Sequence, residues 1–124
     1  MASPKQEVKK ASEAHLRNFR MAPRKLSVVA ALVRGKDVGS ALNILRYTPR
    51  AAAAPLAKLI KSAVANATDL SKGQVDVDAL YVQAISVDQA TTMRRYMPRA
   101  MGRATRINKK TSHVHVVLAE GKRR

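Results

Sequence analysis

Cysteine and tryptophan are absent from this 124-residue chain, and aromatic residues make up only 3% of it. Without cysteine the protein has no disulfide, no thiolate metal ligand and no cysteine nucleophile. This composition fits a reducing compartment. Apolar residues account for 46% of the chain, and most of them are Ala, Val or Leu. We therefore expect a core of small aliphatic side chains within one domain that spans residues 1–124.

Long apolar runs are also missing. No stretch approaches the ~20 residues that a transmembrane helix needs, so we expect no membrane span. The N-terminal segment lacks the apolar core of a signal peptide. Its acidic residues Glu7 and Glu13 argue against an organellar transit peptide, because such peptides contain few acids.

Acidic residues are scarce, since 8 Asp and Glu stand against 24 Lys and Arg, for a formal net charge of +16. The imbalance lies at both ends. Residues 1–36 hold 9 basic and 2 acidic residues (+7), residues 37–93 hold 5 of each (0), and residues 94–124 hold 10 basic and 1 acidic (+9). Such a charge favours a polyanionic partner. Nucleic acid is preferred to a membrane because no spanning run is present.

A strongly basic acid-free stretch runs between Asp88 and Glu120. Charge runs are often solvated faces, but solvated faces mix both signs and this one does not. We interpret it as a phosphate-binding segment. Its basic residues before the second strand are Arg94, Arg95, Arg99, Arg103, Arg106, Lys109 and Lys110.

The N-terminal third predicts a strand followed by a helix. Residues 14–21 are interpreted as a short strand with Leu16 and Phe19 as its apolar anchors. Pro23 suits the first turn of a helix, because its missing N–H has no partner there in any case. Apolar residues then recur at helical spacing until Gly35, which is a plausible C-terminal stop.

Two further helices are predicted before the chain changes character. The second begins near Asp37, which can cap it, and ends at Thr48-Pro49, because the residue before proline avoids the helical region. The third has the clearest helical period in the chain. Pro55 leaves two alternatives for its start: the helix begins only near Ala52, or its first turns are kinked.

The C-terminal third has the alternation of β-strands. An alternating run begins at Leu80, and its phase slips near Ala84–Ile85, which predicts a β-bulge. A second run covers residues 114–118 and is predicted to pair with the first in antiparallel fashion. Residues 88–112 between them are too many for a tight turn and too polar for a core. We predict an extended β-hairpin there, with its tip at residues 98–102.

The predicted hairpin has the composition of an RNA-binding ribbon. Each arm has about nine residues and reaches roughly 30 Å at ~3.3 Å per residue. An isolated ribbon is marginal in water, so we predict that it is disordered in the free protein and ordered on RNA. Guanidinium groups bind phosphates in bidentate fashion and set position without reading base sequence. Tyr96 either stacks on a base or braces the ribbon.

Metal binding and catalysis have little support. His113 and His115 have strand spacing, but only His15 remains as a further imidazole, so no metal site is predicted. The acids are few and scattered, and no serine lies near a plausible His and Asp set. We therefore expect neither an enzyme nor a cofactor. An enzyme acting on RNA stays a minor alternative that turnover of an RNA substrate would revive.

A DNA-binding regulator is the other alternative. The first helix, the turn at residues 35–37 and the second helix resemble a helix-turn-helix in outline. However, the second helix carries only Arg46 as a base-reading cation, and the basic residues lie elsewhere. Preference for a duplex DNA site over structured rRNA would favour this alternative.

Three stretches resemble the family of bacterial large-subunit ribosomal protein twenty-two. The string MRRYMPRAMGRATRINKKTSH (residues 93–113) is similar to the family's hairpin signature. MAPRKLSVVAALVRGK (residues 21–36) is similar to its first helix and turn, and ALNILRYTPRAAAAPLAKLIKSAVANA (residues 41–67) to its next two helices. The resemblance covers nearly the whole chain, and the hairpin string is long and specific.

The resemblance implies an α+β fold of three helices packed on a small three-stranded antiparallel sheet, with one long extended β-hairpin. Family members are structural constituents of the large ribosomal subunit. They bind its rRNA, support assembly and line the nascent-peptide exit tunnel with the hairpin tip. The implied location is cytoplasmic, in the ribosome. The implied partners are large-subunit rRNA, neighbouring large-subunit ribosomal proteins, the nascent polypeptide and, indirectly, macrolide antibiotics.

The charge pattern and the resemblance together predict the site residues. The predicted rRNA-binding residues are Arg17, Arg20, Arg24, Lys25, Arg94, Arg95, Arg99, Arg103, Arg106, Lys109, Lys110 and His113. The predicted tunnel-lining residues are Met93, Arg94, Arg95, Pro98, Arg99, Ala100, Met101, Gly102 and Arg103. The chain departs from the family pattern at two places: Met101 stands where many members carry Lys, and Ala90-Thr91 replaces a common Gly-Pro pair.

Overall fold

A computed structural model describes residues 10–121 and has the predicted α+β architecture. The basic residues at positions 1–9 and 122–124, which contribute to the predicted charge of both ends, lie outside the described residues. The elements are β1 (Lys10–Phe19), α1 (Pro23–Val33), α2 (Val38–Tyr47), α3 (Ala53–Leu70), β2 (Leu80–Pro98) and β3 (Ala104–Glu120), with short 3-10 turns at Val77–Ala79 and Ala100–Gly102.

The three strands form one antiparallel sheet in the order β1-β3-β2, so the C-terminal strand is central. The predicted pairing of β2 with β3 is confirmed, and Val82 lies opposite Leu118. The predicted strand at residues 14–21 exists, but it begins earlier, at Lys10, and ends at Phe19. The first residues of this strand were missed because Ser12, a polar residue, occupies a buried position.

The helices cover one face of the sheet and leave the other face open. α3 lies against β1, and α1 lies against β2. The core between them contains Leu26, Leu56 and Ile60 from the helices and Val116 and Leu118 from the central strand, all with 0% exposure. Burial of such aliphatic side chains stabilises the fold by ~1.5–3 kcal/mol each. Because strand residues alternate, the intervening side chains project from the uncovered side, here called the open sheet face.

The helix ends agree with the predicted signals, with one exception. Pro23 is the first residue of α1, and Gly35 follows the end of this helix with φ +76. α3 begins at Ala53, so Pro55 falls in its first turn and the helix is not kinked by it. Asp37 does occupy the N-cap position of α2, but the predicted cap is wrong, because its side chain makes no cap hydrogen bond.

Two irregularities interrupt the pairing of β2 with β3. The first lies between Val82 and Ala84, one residue before the predicted bulge at residues 84–85. The second lies between Gln89 and Thr92, across Ala90-Thr91. There the Thr111 hydroxyl donates to the Thr91 carbonyl at 2.6 Å. The second bulge therefore marks the point where the ribbon leaves the body.

Within residues 10–121, no helix combines the length and the apolar character that crossing a membrane requires.

Candidate nucleic-acid interface

The hairpin (residues 88–112) is a two-stranded extension of the sheet, as predicted. The last pair between β1 and β3 is Phe19 with Ser112, whereas β2 and β3 stay paired as far as Pro98 with Ala104. Between Ser112 and the tip, the ribbon therefore has no third strand beside it. Its outer part has no residue in the core cluster, so its backbone pairing is not supported by apolar packing.

The tip comprises residues 99–103 and is held by a backbone hydrogen bond. The Arg99 N–H donates to the Arg103 carbonyl at 2.6 Å. Met101 (φ +64) and Gly102 (φ +69) both have the left-handed backbone conformation that the reversal of the chain needs. The Met101 side chain is 94% exposed. The tip therefore presents an uncharged thioether to its surroundings.

Cations lie on both faces of the ribbon. Residues paired across two antiparallel strands project to the same side. Arg94 with Asn108 and Tyr96 with Arg106 therefore share one face with Lys110. The opposite face holds a second set of side chains, which are Met93, Arg95, Met97, Thr105, Ile107 and Lys109. The ribbon can thus meet phosphate on two sides at once.

The hairpin cations are not neutralised by any acidic side chain that the structure describes. All seven are exposed to solvent. Within residues 10–121, no hairpin cation forms an ion pair, and both of the ion pairs found there involve Glu13. No acidic residue occurs in the chain between Asp88 and Glu120. Charge of one sign on an exposed ribbon repels itself unless a polyanion is bound.

A second cationic feature lies at the base of the hairpin. A groove of about 720 Å³ runs between the start of α1, the start of α3 and the β3 arm of the hairpin. We call it the basic groove. No acidic side chain of the described residues lines it, and its six cations are Arg20, Arg24, Lys25, Arg50, Lys109 and Lys110.

Two helix N-termini meet in the basic groove. Ala22 and Pro23 begin α1, and Ala51 and Ala52 precede α3. The first N–H groups of a helix have no partner within the helix and carry partial positive charge. Neither N-terminus is capped by a side chain. At these helix starts Pro23 has no N–H, the Lys25 N–H donates to the Ala22 carbonyl at 3.1 Å, and the Ala53 N–H donates to the Arg50 carbonyl at 3.2 Å. The groove therefore attracts an anion through its side-chain cations and the partial positive charge of two helix starts.

The structure divides the predicted N-terminal cations into two groups. Arg20, Arg24 and Lys25 come together with Lys109 and Lys110 in the basic groove. Arg17 lies on the open sheet face beside His113, away from that groove. There the Asn18 N–H donates to Nδ1 of His113 at 3.1 Å, so one ring nitrogen of this predicted rRNA ligand is already engaged.

Sequence reasoning missed two groove residues. Arg50 lies in a charge-neutral part of the chain, and Asn108 is an uncharged residue within the hairpin. Arg50 directly follows Pro49, where the chain turns between α2 and α3. Its position at a helix start was the available signal, because basic residues are not favoured there unless an anion is bound.

The open sheet face carries an ionised carboxylate. Lys10 Nζ lies 2.6 Å from Oε2 of Glu13, and His115 Nε2 lies 3.0 Å from the same oxygen. The hydrogen bond to Lys10 and then that to His115 lower the pKa of the Glu13 carboxyl to about 2. The rings of His15 and His115 stack at a centroid distance of 4.2 Å.

The helix-turn-helix alternative gains nothing from the structure. Arg46, the single cation of α2, places its guanidinium 5.8 Å from the Tyr47 ring centroid. Arg34, at the end of α1, donates to the Ile85 carbonyl at 2.8 Å. Arg34 and Arg46, which flank the turn, therefore contact the protein itself.

Comparison with known proteins agrees with the resemblance in the sequence. The family described as ribosomal protein L22p/L17e matches residues 14–119. The chain is 73% identical over 112 residues to the large ribosomal subunit protein uL22 of Myxococcus xanthus, covering 90% of this chain and 98% of that protein. It is 58% identical to uL22 of Anaeromyxobacter sp. strain K (89% and 75% covered) and 54% identical to uL22 of Syntrophotalea carbinolica (88% and 97%).

These matches decide between the classes of protein left open above. The family consists of structural proteins and not enzymes, which confirms the expectation that the chain has no catalytic activity. The match spans both the helical body and the whole hairpin. The chain belongs to the L22p/L17e family of ribosomal proteins.

Proposed function

We propose that this chain is a structural constituent of the large ribosomal subunit, which binds large-subunit rRNA and supports its assembly. The observation that carries the proposal is the hairpin, an extended ribbon with seven exposed cations on both faces and at its tip. The similar curated proteins are named as large-subunit proteins, and the chain spans 98% of the one from Myxococcus xanthus. The whole sequence, residues 1–124, acts as one rRNA-binding unit.

The two-sided charge favours RNA that surrounds the ribbon over RNA that lies along one side. A protein resting on a duplex needs cations on one face only. Here Arg94 and Arg106 project from one face, and Arg95 and Lys109 project from the other. Arg is suited to this role, because its planar guanidinium bonds two phosphate oxygens and stays charged. Neutralisation by phosphate removes the self-repulsion of the ribbon and orders it.

The basic groove anchors the body to the same RNA. Its six cations and two uncapped helix starts can hold a phosphate backbone that passes the base of the hairpin. Lys109 and Lys110 belong both to the groove and to the hairpin. A strand of RNA can therefore pass continuously from the groove onto the ribbon. Arg17 and His113 would bind a separate segment at the open sheet face.

The tip is proposed to line the nascent-peptide exit tunnel. Residues 99–103 lie farthest along the ribbon from the body, and Met101 is fully exposed there. A thioether adds no charge to the tunnel wall at this position. Met93, Arg94 and Arg95, with the tip residues from Pro98 to Arg103, form the segment that would contact the nascent polypeptide. Neighbouring large-subunit proteins and, indirectly, macrolide antibiotics are the further proposed partners.

Fractionation of cell lysates tests the role of the basic groove. The wild-type protein should migrate with the large subunit on a sucrose gradient and remain there after a high-salt wash. The variant Arg24→Ala/Lys25→Ala/Arg50→Ala should be released by the wash, because three phosphate contacts are lost. The variant Lys58→Ala/Lys61→Ala/Lys72→Ala removes the same charge from exposed positions outside the groove and should be retained. Equal release of both variants would contradict the assignment.

Crosslinking tests the position of the tip. The chain has no cysteine, so Met101→Cys creates a single attachment point for a photoreactive probe. With a stalled nascent chain in the tunnel, a probe at this position should crosslink to the nascent peptide. The control Ser62→Cys, on the exposed side of α3, should not. A crosslink to rRNA alone from position 101 would contradict the tunnel assignment.

A further inference from the structure

Three potential metal ligands from two neighbouring strands meet on the open sheet face. Glu13 and His15 are two residues apart on β1 and so project to the same side. His115 on β3 is the direct cross-strand partner of His15. One ligand atom from each of the three residues lies within 4.8 Å of the other two.

We propose that Glu13, His15 and His115 form a binding site for one divalent transition-metal ion of the zinc type. The donor set of two imidazoles and one carboxylate matches the ligands that Zn²⁺ takes in proteins with three protein ligands and one open position. Mg²⁺ and Ca²⁺ are excluded as the preferred ions, since both select oxygen ligands. The site is separate from the hairpin and the basic groove and does not rest on the proposed rRNA binding.

The site can form around an ion after one imidazole ring rotates. Ligand atoms that each lie ~2.0–2.2 Å from one ion are roughly 3–4 Å apart. Glu13 Oε2 and His115 Nε2 already have a separation of 3.0 Å. The two imidazoles stack in nearly parallel planes, so their in-plane nitrogen lone pairs do not meet at one point. The His15 ring must rotate out of the stack to direct its nitrogen to the ion. All three side chains are partly or fully exposed, which leaves an entry path for the ion.

One local cation competes with the ion. Lys10 Nζ contacts Oε2 of Glu13 at 2.6 Å, on a side chain that is 51% exposed. Among the residues that the structure describes, none makes such a contact with the second oxygen of the carboxylate. A bound ion can therefore take that oxygen while Lys10 remains, or can displace the flexible ammonium group into solvent.

His113 is excluded from the site despite its strand spacing to His115. Its cross-strand partner on β2 is Asp88, and its Nδ1 accepts a hydrogen bond from the Asn18 N–H. The sequence offered the pair His113 and His115 and no further ligand. The structure instead supplies Glu13, which is 102 residues from His115 along the chain.

Calorimetric titration of the full-length, chelator-treated protein with ZnCl₂ tests the proposal. The chain has three histidines and no cysteine, so His→Gln changes at each position test every imidazole. The wild type should bind one ion per chain. The changes His15→Gln and His115→Gln should each weaken binding by at least about tenfold, the loss seen even for groups that only support a metal ligand. The matched control His113→Gln should bind as the wild type does.

Two further readouts keep the result independent of any folding defect. Zn²⁺ should raise the Tm of the wild type and of His113→Gln, because an ion that binds only the folded state stabilises it by mass action. It should not raise the Tm of His15→Gln or Glu13→Gln. Co²⁺ should give visible ligand-field absorption with the wild type and with His113→Gln, and not with His15→Gln or Glu13→Gln. A wild type without saturable binding, or a His113→Gln variant as impaired as His15→Gln, would overturn the proposal.

Discussion

At the scale of single residues, buried hydroxyl groups connect the strands to α3 and to the segment between β1 and α1. The Ser12 hydroxyl donates to the Ala63 carbonyl of α3 at 2.7 Å, and the Ser112 hydroxyl donates to the Met21 carbonyl at 2.5 Å. Ser12 is 3% exposed and Ser112 is not exposed. A sequence cannot distinguish these serines from surface serines, because both kinds interrupt an apolar period in the same way.

Removal of the Ser12 hydroxyl should weaken the contact between β1 and α3. The change Ser12→Ala should lower the free energy of unfolding by ~0.5–1.5 kcal/mol, the usual net value of one hydrogen bond. Urea denaturation monitored by circular dichroism measures this loss. The control Ser27→Ala changes an exposed serine of α1 and should have almost no effect. If both variants unfold at the wild-type urea concentration, the hydrogen bond does not stabilise the fold.

The structure distinguishes between the two interpretations of Tyr96, which are stacking on a base and bracing of the ribbon. It is 69% exposed and shares its ribbon face with Arg94 and Arg106. A side chain that braces the ribbon would be covered by it. We therefore expect Tyr96 to stack on a base when RNA is bound.

The change Tyr96→Ala should weaken binding of a single-stranded rRNA fragment by ~1–3 kcal/mol, the usual value for stacking of one base. Tyr96→Phe keeps the ring and should bind as the wild type does. Tyr47→Ala removes an equally exposed ring, 78% exposed on α2, and serves as the control. If Tyr96→Ala binds the RNA with unchanged affinity, Tyr96 does not stack on a base. Binding can be followed by fluorescence anisotropy of the labelled RNA.

At the scale of elements, the hairpin depends on bound RNA for its ordered conformation more than the helices do. The helices and the inner parts of the strands enclose a continuous aliphatic core. The outer ribbon has backbone pairing alone, and a two-stranded ribbon of this kind is marginal in water. The bulge at residues 90–91 separates these two regimes, because pairing to β1 ends at Ser112 on the opposite arm.

Backbone relaxation should therefore differ between the two parts of β2 in the free protein. The ¹⁵N heteronuclear Overhauser effects of residues 92–98 should be lower than those of residues 80–87. Addition of an rRNA fragment should raise the first set toward the second, because bound phosphates remove the repulsion between cations. A free hairpin as rigid as the inner sheet would contradict the view that RNA orders the ribbon.

Periodicity and charge in the sequence were enough to predict the secondary-structure elements but not which residues of different elements contact each other. The helical spacing of apolar residues predicted the three helices, and the alternation in β2 and β3 predicted the hairpin. The strand start at Lys10 was missed because Ser12 conceals the alternation. Arg50 and the pair of Glu13 with His115 were missed for another reason: their neighbours depend on strand register and helix packing, which local sequence does not specify.

At the scale of the whole molecule, charge is divided between a neutral central segment and basic ends. Residues 37–93 carry no net charge, and most of the helical body lies there. The basic ends supply the hairpin and most of the basic groove. The fold thus places its core in one part of the chain and its phosphate-binding surface in the others. Such a division explains how a small domain with a net charge of +16 can keep a compact interior.

The salt dependence of rRNA binding tests most directly whether the hairpin cations bind phosphate. Each phosphate contact contributes ~0.7–0.9 to the slope of log K against log salt concentration. The variant Arg94→Ala/Arg95→Ala/Arg106→Ala should therefore flatten the slope by about 2 to 3. Lys58→Ala/Lys61→Ala/Lys72→Ala, with the same change in net charge, should keep the wild-type slope. Equal slopes for the wild type and the hairpin variant would contradict the account, because the ribbon would then make no phosphate contacts.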